Sequence, residues 1–481
     1  MSLLIYCIAF LEGFTTLAIE IIALRRFTPL IDSNSISTSI ILGVILLALS
    51  YGYYEWGKYS GILSHEARIE RVIRNLTLAS GYYLFFTFTL DLTILGSMLE
   101  STGNYFISVL LSACILFFIP VFLASQTLPL LSELLEGKNI GEKMWKILFF
   151  STVGSFLGSV MTSSLFFATI GVMKSATLCS TLLTGITLLL MPRIYKKMGY
   201  IHFFSLGLFI LSIFLLFRTS ALPSNILFQR ANAHHSIMIY EQWERRIFSM
   251  NGWLSSGMNR TTKESYFRYI EELKRIILEK WWNDILIIGA AGFTLPQELA
   301  RDNAVRSIDV VDIDRSLQKI AEEYFLEEKL SEKIHFFPLP ARYFLKHTSK
   351  HYDAIIVDIY IGKMVPPATM TLEFFLGLTT HTENILMNTI ADASLSSQFS
   401  EHALATMYSA FGSLFYKDMN APHTSDNTMT NFVISNTSLT WYTEYVRDRD
   451  HTVYTDDKNS IELDLFLLQN ERLREKYQVV Q

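Results

Sequence analysis

The chain has 481 residues, half of them apolar and only 18% charged, with a net charge of −5. Soluble globular proteins carry about 25% charged residues, so part of this chain avoids water, and the acidic balance argues against the basic face that nucleic-acid binding needs. The three cysteines, Cys7, Cys114 and Cys179, all lie in apolar blocks, which leaves neither a disulfide framework nor a cysteine metal site.

A membrane-spanning helix needs about 20 mostly apolar residues. The first half offers seven such stretches, at residues 3–24, 36–54, 77–98, 105–124, 146–169, 175–192 and 201–217. They are separated by Asp32-Ser33-Asn34-Ser35, the charged segment 58–74, Ser101-Thr102-Gly103-Asn104 and the segment 136–146. Residues 1–220 are therefore expected to form an α-helical bundle with the lipid bilayer as partner. Glu12, Glu20 and Asp91 fall inside spans, where ionisable groups are costly and often functional. Glu20 lies about one turn before Arg25, a spacing that suits a structural ion pair. Glu12, Glu20 and Asp91 are equally the acids that a transport path would use. In the fifth span Gly154 and Gly158 stand four apart, the spacing at which small residues let two helix backbones approach.

Orientation follows the lysines and arginines of short loops. Lys58, Arg68, Arg71, Arg74, Lys138, Lys143, Lys146, Arg193, Lys196 and Lys197 collect on one side, which predicts a cytoplasmic N-terminus. Seven spans then put the C-terminal half outside, and one span more or fewer reverses that.

Beyond Arg218 the composition becomes that of a soluble protein. Residues 221–260 are expected to be a β-hairpin and linker region, and 261–481 a single α/β domain. Residues 262–280 carry helical apolar spacing. Asp284–Ile288 is a short apolar strand followed by Gly289-Ala290-Ala291-Gly292, and a helix is expected at 296–301. Ser307–Val311 is a second strand ending in Asp312-Ile313-Asp314, with a helix at 317–325. Strands at 335–337 and 353–357 follow, the last ending in Asp358. Strands alternating with helices predict a parallel, doubly wound, Rossmann-like sheet. Chemistry in such a sheet gathers at the carboxyl ends of its strands. The Gly289 and Gly292 turn lets a ligand approach the backbone. Asp312, 23 residues after Gly289, is placed to bind ribose hydroxyls, with Asp314 as the competing acid. His234-His235 reads as a surface pair without metal, Met364 and Met370 as packing, and Trp281-Trp282 as either core or membrane interface.

These residues resemble the spermidine synthases, and over nearly the whole length the membrane-fused spermidine-synthase-like proteins of bacteria. Glu20, Arg25 and Pro29 reproduce that group's first-span spacing, and Gly154 with Gly158 its small-residue helix. Asn251-Gly252-Trp253 with Ser255-Ser256-Gly257, Ile287-Ile288-Gly289 and Val310-Val311-Asp312-Ile313-Asp314 continue the likeness. Ala341-Arg342 with Phe344-Leu345, Tyr352-Asp353, Val357-Asp358, Pro366-Pro367, Thr371, Glu373-Phe374-Phe375 and Thr455-Asp456-Asp457 complete it. The resemblance implies a spermidine-synthase-type domain at a bacterial inner membrane. It implies a donor such as decarboxylated S-adenosylmethionine or S-adenosylmethionine, held by Gly289, Gly292, Asp312 and Ala341, and no metal. Asp358 would be the catalytic base, and Tyr266 would line the acceptor pocket. The chain departs from the family where Gly292, Pro340 and Ile361 replace acids, so a non-catalytic module serving a membrane-protein partner, or a homodimer, is the alternative expectation. Transport by the helical half is a third.

Overall fold

A computed structural model describes all residues except 1, 32–34, 59–61, 90, 136–139, 195–198, 219–222, 232–234, 361–364, 420–428, 448–450 and 479–481. The chain forms two compact units, one centred on Met1–Ala221 and the other on Leu222–Arg230 with His234–Arg472.

In the first unit, among the described residues, six helices are long and apolar enough to cross a membrane: Leu3–Phe27, Ser35–Trp56, Tyr105–Leu134, Met144–Thr169, Gly171–Leu190 and Tyr200–Phe217. A pair bent by 73°, His65–Phe88 and Thr93–Thr102, would make a seventh. The expected third span, 77–98, therefore runs across a bend rather than along one axis. Its helix starts earlier, at His65, with Arg68 paired to Glu133 at 3.0 Å.

The unit shows large apolar side chains on its surface, and its interior mixes apolar residues with serine and threonine. Along Tyr200–Phe217 the buried residues are His202, Ser205, Leu208 and Ser212, while Phe203, Phe204, Ile210, Phe214 and Phe217 are exposed. Hydroxyls join helices: Ser80 donates to the Ser180 carbonyl at 3.1 Å, and Thr187 meets Ser205. The Gly154 and Gly158 spacing serves close packing. A Cβ on Gly154 would lie 2.0 Å from the Phe10 carbonyl oxygen, and one on Gly158 would lie 2.1 Å from that of Phe14. Glu12 is buried, with the Thr16 hydroxyl donating to it at 3.2 Å. Glu20, half-buried, and Arg25 share its helix. Asp91 opens the helix Asp91–Thr102, and its side chain lies outside the described residues.

The second unit holds two sheets. An antiparallel sheet joins β1 (Ile226–Ala231), β2 (Ser236–Gln242), β3 (Arg245–Met250) and β4 (Trp253–Asn259) in chain order. The larger sheet contains β5 (Asp284–Ile288), β6 (Ser307–Val311), β7 (Ile334–Phe337), β8 (Ala354–Val357), β9 (Ile385–Asp392), β10 (Phe415–Asp418), β11 (Met429–Ser435) and β12 (Thr443–Glu444). Its order is β12-β10-β11-β9-β8-β5-β6-β7. The four expected strands, β5 to β8, are parallel, β9 joins them as an unexpected fifth, and β11, β10 and β12 extend them antiparallel.

The central strands are mostly apolar because both faces are covered, with Asp309 of β6 the buried exception, accepting from the Tyr352 hydroxyl at 2.8 Å and Lys350 at 3.0 Å. Ile285, Ile287, Ile308, Val310 and Ile356 enter one core, and Leu286, Ile288, Val311, Ile355 and Val357 enter the other. From β5 the chain builds outward through β6 and β7, then returns to place β8 on the opposite side of β5. That reversal opens a crevice at the carboxyl ends of the strands.

The helix expected at 262–280 starts later, as Arg268–Glu279. The residues before it are tied to the hairpin sheet instead. Asn259 Oδ1 accepts from the Thr261 and Thr262 amides, Ser265 bridges Met258, and Glu298 accepts from the Ser265 amide at 2.6 Å.

Candidate functional site

A cavity of about 310 Å³ lies over the carboxyl ends of β5, β6 and β8. Its floor is the turn after β5. Gly289 has φ +109°, and a Cβ there would sit 1.9 Å from the Asp358 carbonyl oxygen, so only glycine fits. Ala291 and Phe293 also take positive φ, 40° and 59°. For residues with a Cβ that conformation costs about 1–2 kcal/mol each. Backbone strain of this kind tends to gather at ligand sites.

Asp312 and Asp358 stand on either side of this turn, two strand spacings apart, or about 10 Å. Both line the cavity. Asp312 accepts from the Ala290 and Asp314 amides, each at 3.0 Å. Asp314 is buried and accepts from the Ser316 amide at 2.9 Å and hydroxyl at 2.6 Å, so Asp312 is the acid that faces the cavity. Asp358 accepts from Asn388 Nδ2 at 2.8 Å and from the Tyr269 hydroxyl at 3.1 Å. Burial pushes its carboxyl above the ordinary range, against the pull of those two donors. Burial, then the neighbouring charge of Asp358, holds the Tyr269 phenol far above its own range, so it stays a donor. Asn431 Nδ2 donates to Asn388 Oδ1 at 3.0 Å, completing a relay behind the carboxylate.

Of the residues expected from sequence, Gly289, Asp312, Ala341 and Asp358 meet at this cavity, and Pro340 lines it too. Gly292 is not among the lining residues. Its amide donates to Ser256 Oγ at 3.0 Å, and a Cβ would collide with Phe325, so it is a packing glycine. Tyr266 is not a lining residue either. It packs on Gly257 with Arg245 over its ring at 4.8 Å, and Tyr269, one turn on, takes the place beside Asp358. His235, expected at the surface, is buried and lines the cavity, while His234 lies outside the described residues, as do Ile361 and Met364. Met370 is buried, as packing requires. Trp281 is exposed and Trp282 leans on the core.

Tyr269, Asn388 and Asn431 were not singled out in the sequence as site residues. The available signal was Asn388, a lone amide in the apolar run Ile385-Leu386-Met387.

A twisted α/β sheet whose strand ends hold a glycine turn between two acids belongs to the class that seats a nucleoside-containing ligand. Within that class, residues 267–440 match the spermine/spermidine synthase domain. The chain is 26% identical over 206 residues to the polyamine aminopropyltransferase of Vibrio vulnificus, covering 40% of this chain and 67% of that protein. Solved structures similar to it include spermidine synthase from Thermotoga maritima (13% identity, 53% of this chain and 88% of the other, TM-score 0.37). Another is a spermidine synthase in complex with the transition-state analogue AdoDATO (13% identity, 53% and 88%, TM-score 0.36).

Proposed function

We propose that the chain is a membrane-anchored transferase that moves an aminopropyl or related group from an S-adenosyl donor to an amine. The observation that carries this reading is Asp358, a carboxylate held by Tyr269 and Asn388 at the inner wall of the cavity, opposite Asp312. Asp312, on the cavity wall, would hydrogen-bond the ribose hydroxyls. Gly289 to Ala291 present bare backbone beneath the donor, and Leu339 to Ala341 form an apolar wall for its base. The donor, when bound, supplies an electrophilic carbon next to sulfonium. Asp358 orients the amine and takes the proton it sheds, and the surrounding apolar side chains exclude water. Anchoring is supported by the first unit, whose long apolar helices expose large apolar side chains such as Phe156, Phe203 and Phe214, a surface that suits lipid and not water.

A second reading, a non-catalytic module, draws support from Gly292, Pro340 and Ile361, which stand where the resemblance leads one to expect acids. Calorimetric titration of the detergent-purified protein with decarboxylated S-adenosylmethionine and with methylthioadenosine separates the two. The transferase reading expects saturable binding below about 1 mM, weakened at least tenfold by Asp312→Ala, since a lost charged hydrogen bond costs about 1.5–3 kcal/mol. Flat titrations at millimolar ligand would leave the module reading standing.

A further inference from the structure

The strand order divides the cavity. The turns after β5, β6 and β7 contribute Gly289, Asp312 and Pro340, while β8, β9 and β11 contribute Asp358, Ile390 and Asn431. On the reading above, the first group is the donor half and the second is the acceptor half.

The acceptor half is poor in charge. Asp358 is its one carboxylate among the described lining residues, Asp312 being in the other half. The remaining polar groups are spent on one another. Asn431 donates to Asn388 and Asn388 to Asp358, while the Tyr360 hydroxyl donates to the Asn388 carbonyl at 2.9 Å and accepts from the Ile390 amide at 2.7 Å. Beside them Ile359, Ile390 and Pro366 give this half an apolar wall, with the Thr369 hydroxyl donating to the Pro366 carbonyl at 2.8 Å, while His235 and Ser255 reach the cavity from the hairpin sheet. A second ammonium placed there would be stripped of water with no carboxylate to receive it, which is strongly unfavourable.

We infer that the acceptor is a monoamine with an apolar body, and not a polyamine. One ammonium matches one carboxylate, and the hydrocarbon fills the wall that Ile359, Ile390 and Pro366 provide. In the transfer step Asp358 first takes one proton from the bound ammonium, and the freed lone pair attacks the donor methylene and forms the C–N bond. The C–S bond breaks, and its electron pair stays on sulfur, which becomes a neutral thioether. The nitrogen leaves as a secondary ammonium.

This rests on the transferase reading, and the test separates the two. Full-length protein in detergent is supplied with decarboxylated S-adenosylmethionine, donor binding is measured by calorimetry, and methylthioadenosine release is followed with pentylamine, putrescine or spermidine. Pentylamine is putrescine with one amino group replaced by methyl. The expected result is donor binding, with kcat/KM for pentylamine at least tenfold above that for putrescine and spermidine slower still. Donor binding with putrescine equal or better overturns the monoamine assignment alone, and so does donor binding with no turnover of any of the three. Absence of donor binding overturns the transferase reading and this inference with it.

Discussion

Asp358 carries opposing demands. Its site is built for a base, yet burial favours the neutral acid. A carboxyl raised in the folded state stabilises the fold below the ordinary carboxyl pKa of about 4, and that contribution is lost as pH rises through the raised value. At neutral pH the ionised group therefore costs stability. Asp358→Asn should lower kcat by about 10²–10⁴-fold, the usual contribution of a general base. It should also raise the melting temperature at pH 8, with the gain shrinking toward pH 4. A variant that melts lower than the parent at pH 8 would refute this account of the residue. Asp312, Asp358 and Gly289 follow directly from apolar strands and were legible by position. Tyr269 was not, because which tyrosine reaches the site depends on where its helix begins. Asn259 and Glu298 set that start at Arg268 by holding the preceding residues against the hairpin. Asn431 reaches the site only through its pairing with β9, a long-range fact.

Among the elements, the first and fifth expected spans form the closest contact described, with glycine on both sides. Gly13 lies against the Ser151 carbonyl, and Gly154 and Gly158 lie against those of Phe10 and Phe14. Gly158→Ala puts a methyl where backbone oxygen already is, and should cost about 1–3 kcal/mol or more. Gly43→Ala is the contrasting case, since nothing lies within 4 Å of its added Cβ and alanine is the better helix former. Thermal unfolding in detergent should therefore fall for the first and hold or rise for the second; equal behaviour would mean the close approach is not what sets stability. Fully buried strands such as Ile285-Leu286-Ile287-Ile288 announce themselves in sequence, as do long apolar helices. Strand β9 does not, because Asn388 and Thr389 interrupt its apolar run in favour of the relay behind Asp358. The antiparallel extension through β11, β10 and β12 has weaker patterning still, and the short β12 spans only Thr443–Glu444.

At the scale of the whole molecule, sidedness turns on the bent pair His65–Phe88 and Thr93–Thr102. Counted as a span, it gives seven and sets the two ends of the chain on opposite faces; left out, it gives six and sets them on the same face. A domain that draws on an S-adenosyl donor belongs with the cytosol, whereas seven spans with a cytoplasmic N-terminus would put it outside. Paired cytoplasmic- and exterior-active reporters fused after Gln481 should therefore report the cytoplasmic side, and an exterior signal would remove the donor from reach. The inward hydroxyls of the first unit carry a wider lesson. Ser205 and Ser212 are interior residues there, and Phe203 and Phe214 are surface, whereas in the second unit Phe293, Phe325 and Phe374 are interior. The two units thus differ at their surfaces and not in their cores: Phe14, Phe27 and Phe117 are buried in the first as Phe293 is in the second. An exposed phenylalanine is at home on the first unit and out of place on the second, so a surface substitution must be judged by which side of residue 220 it falls on.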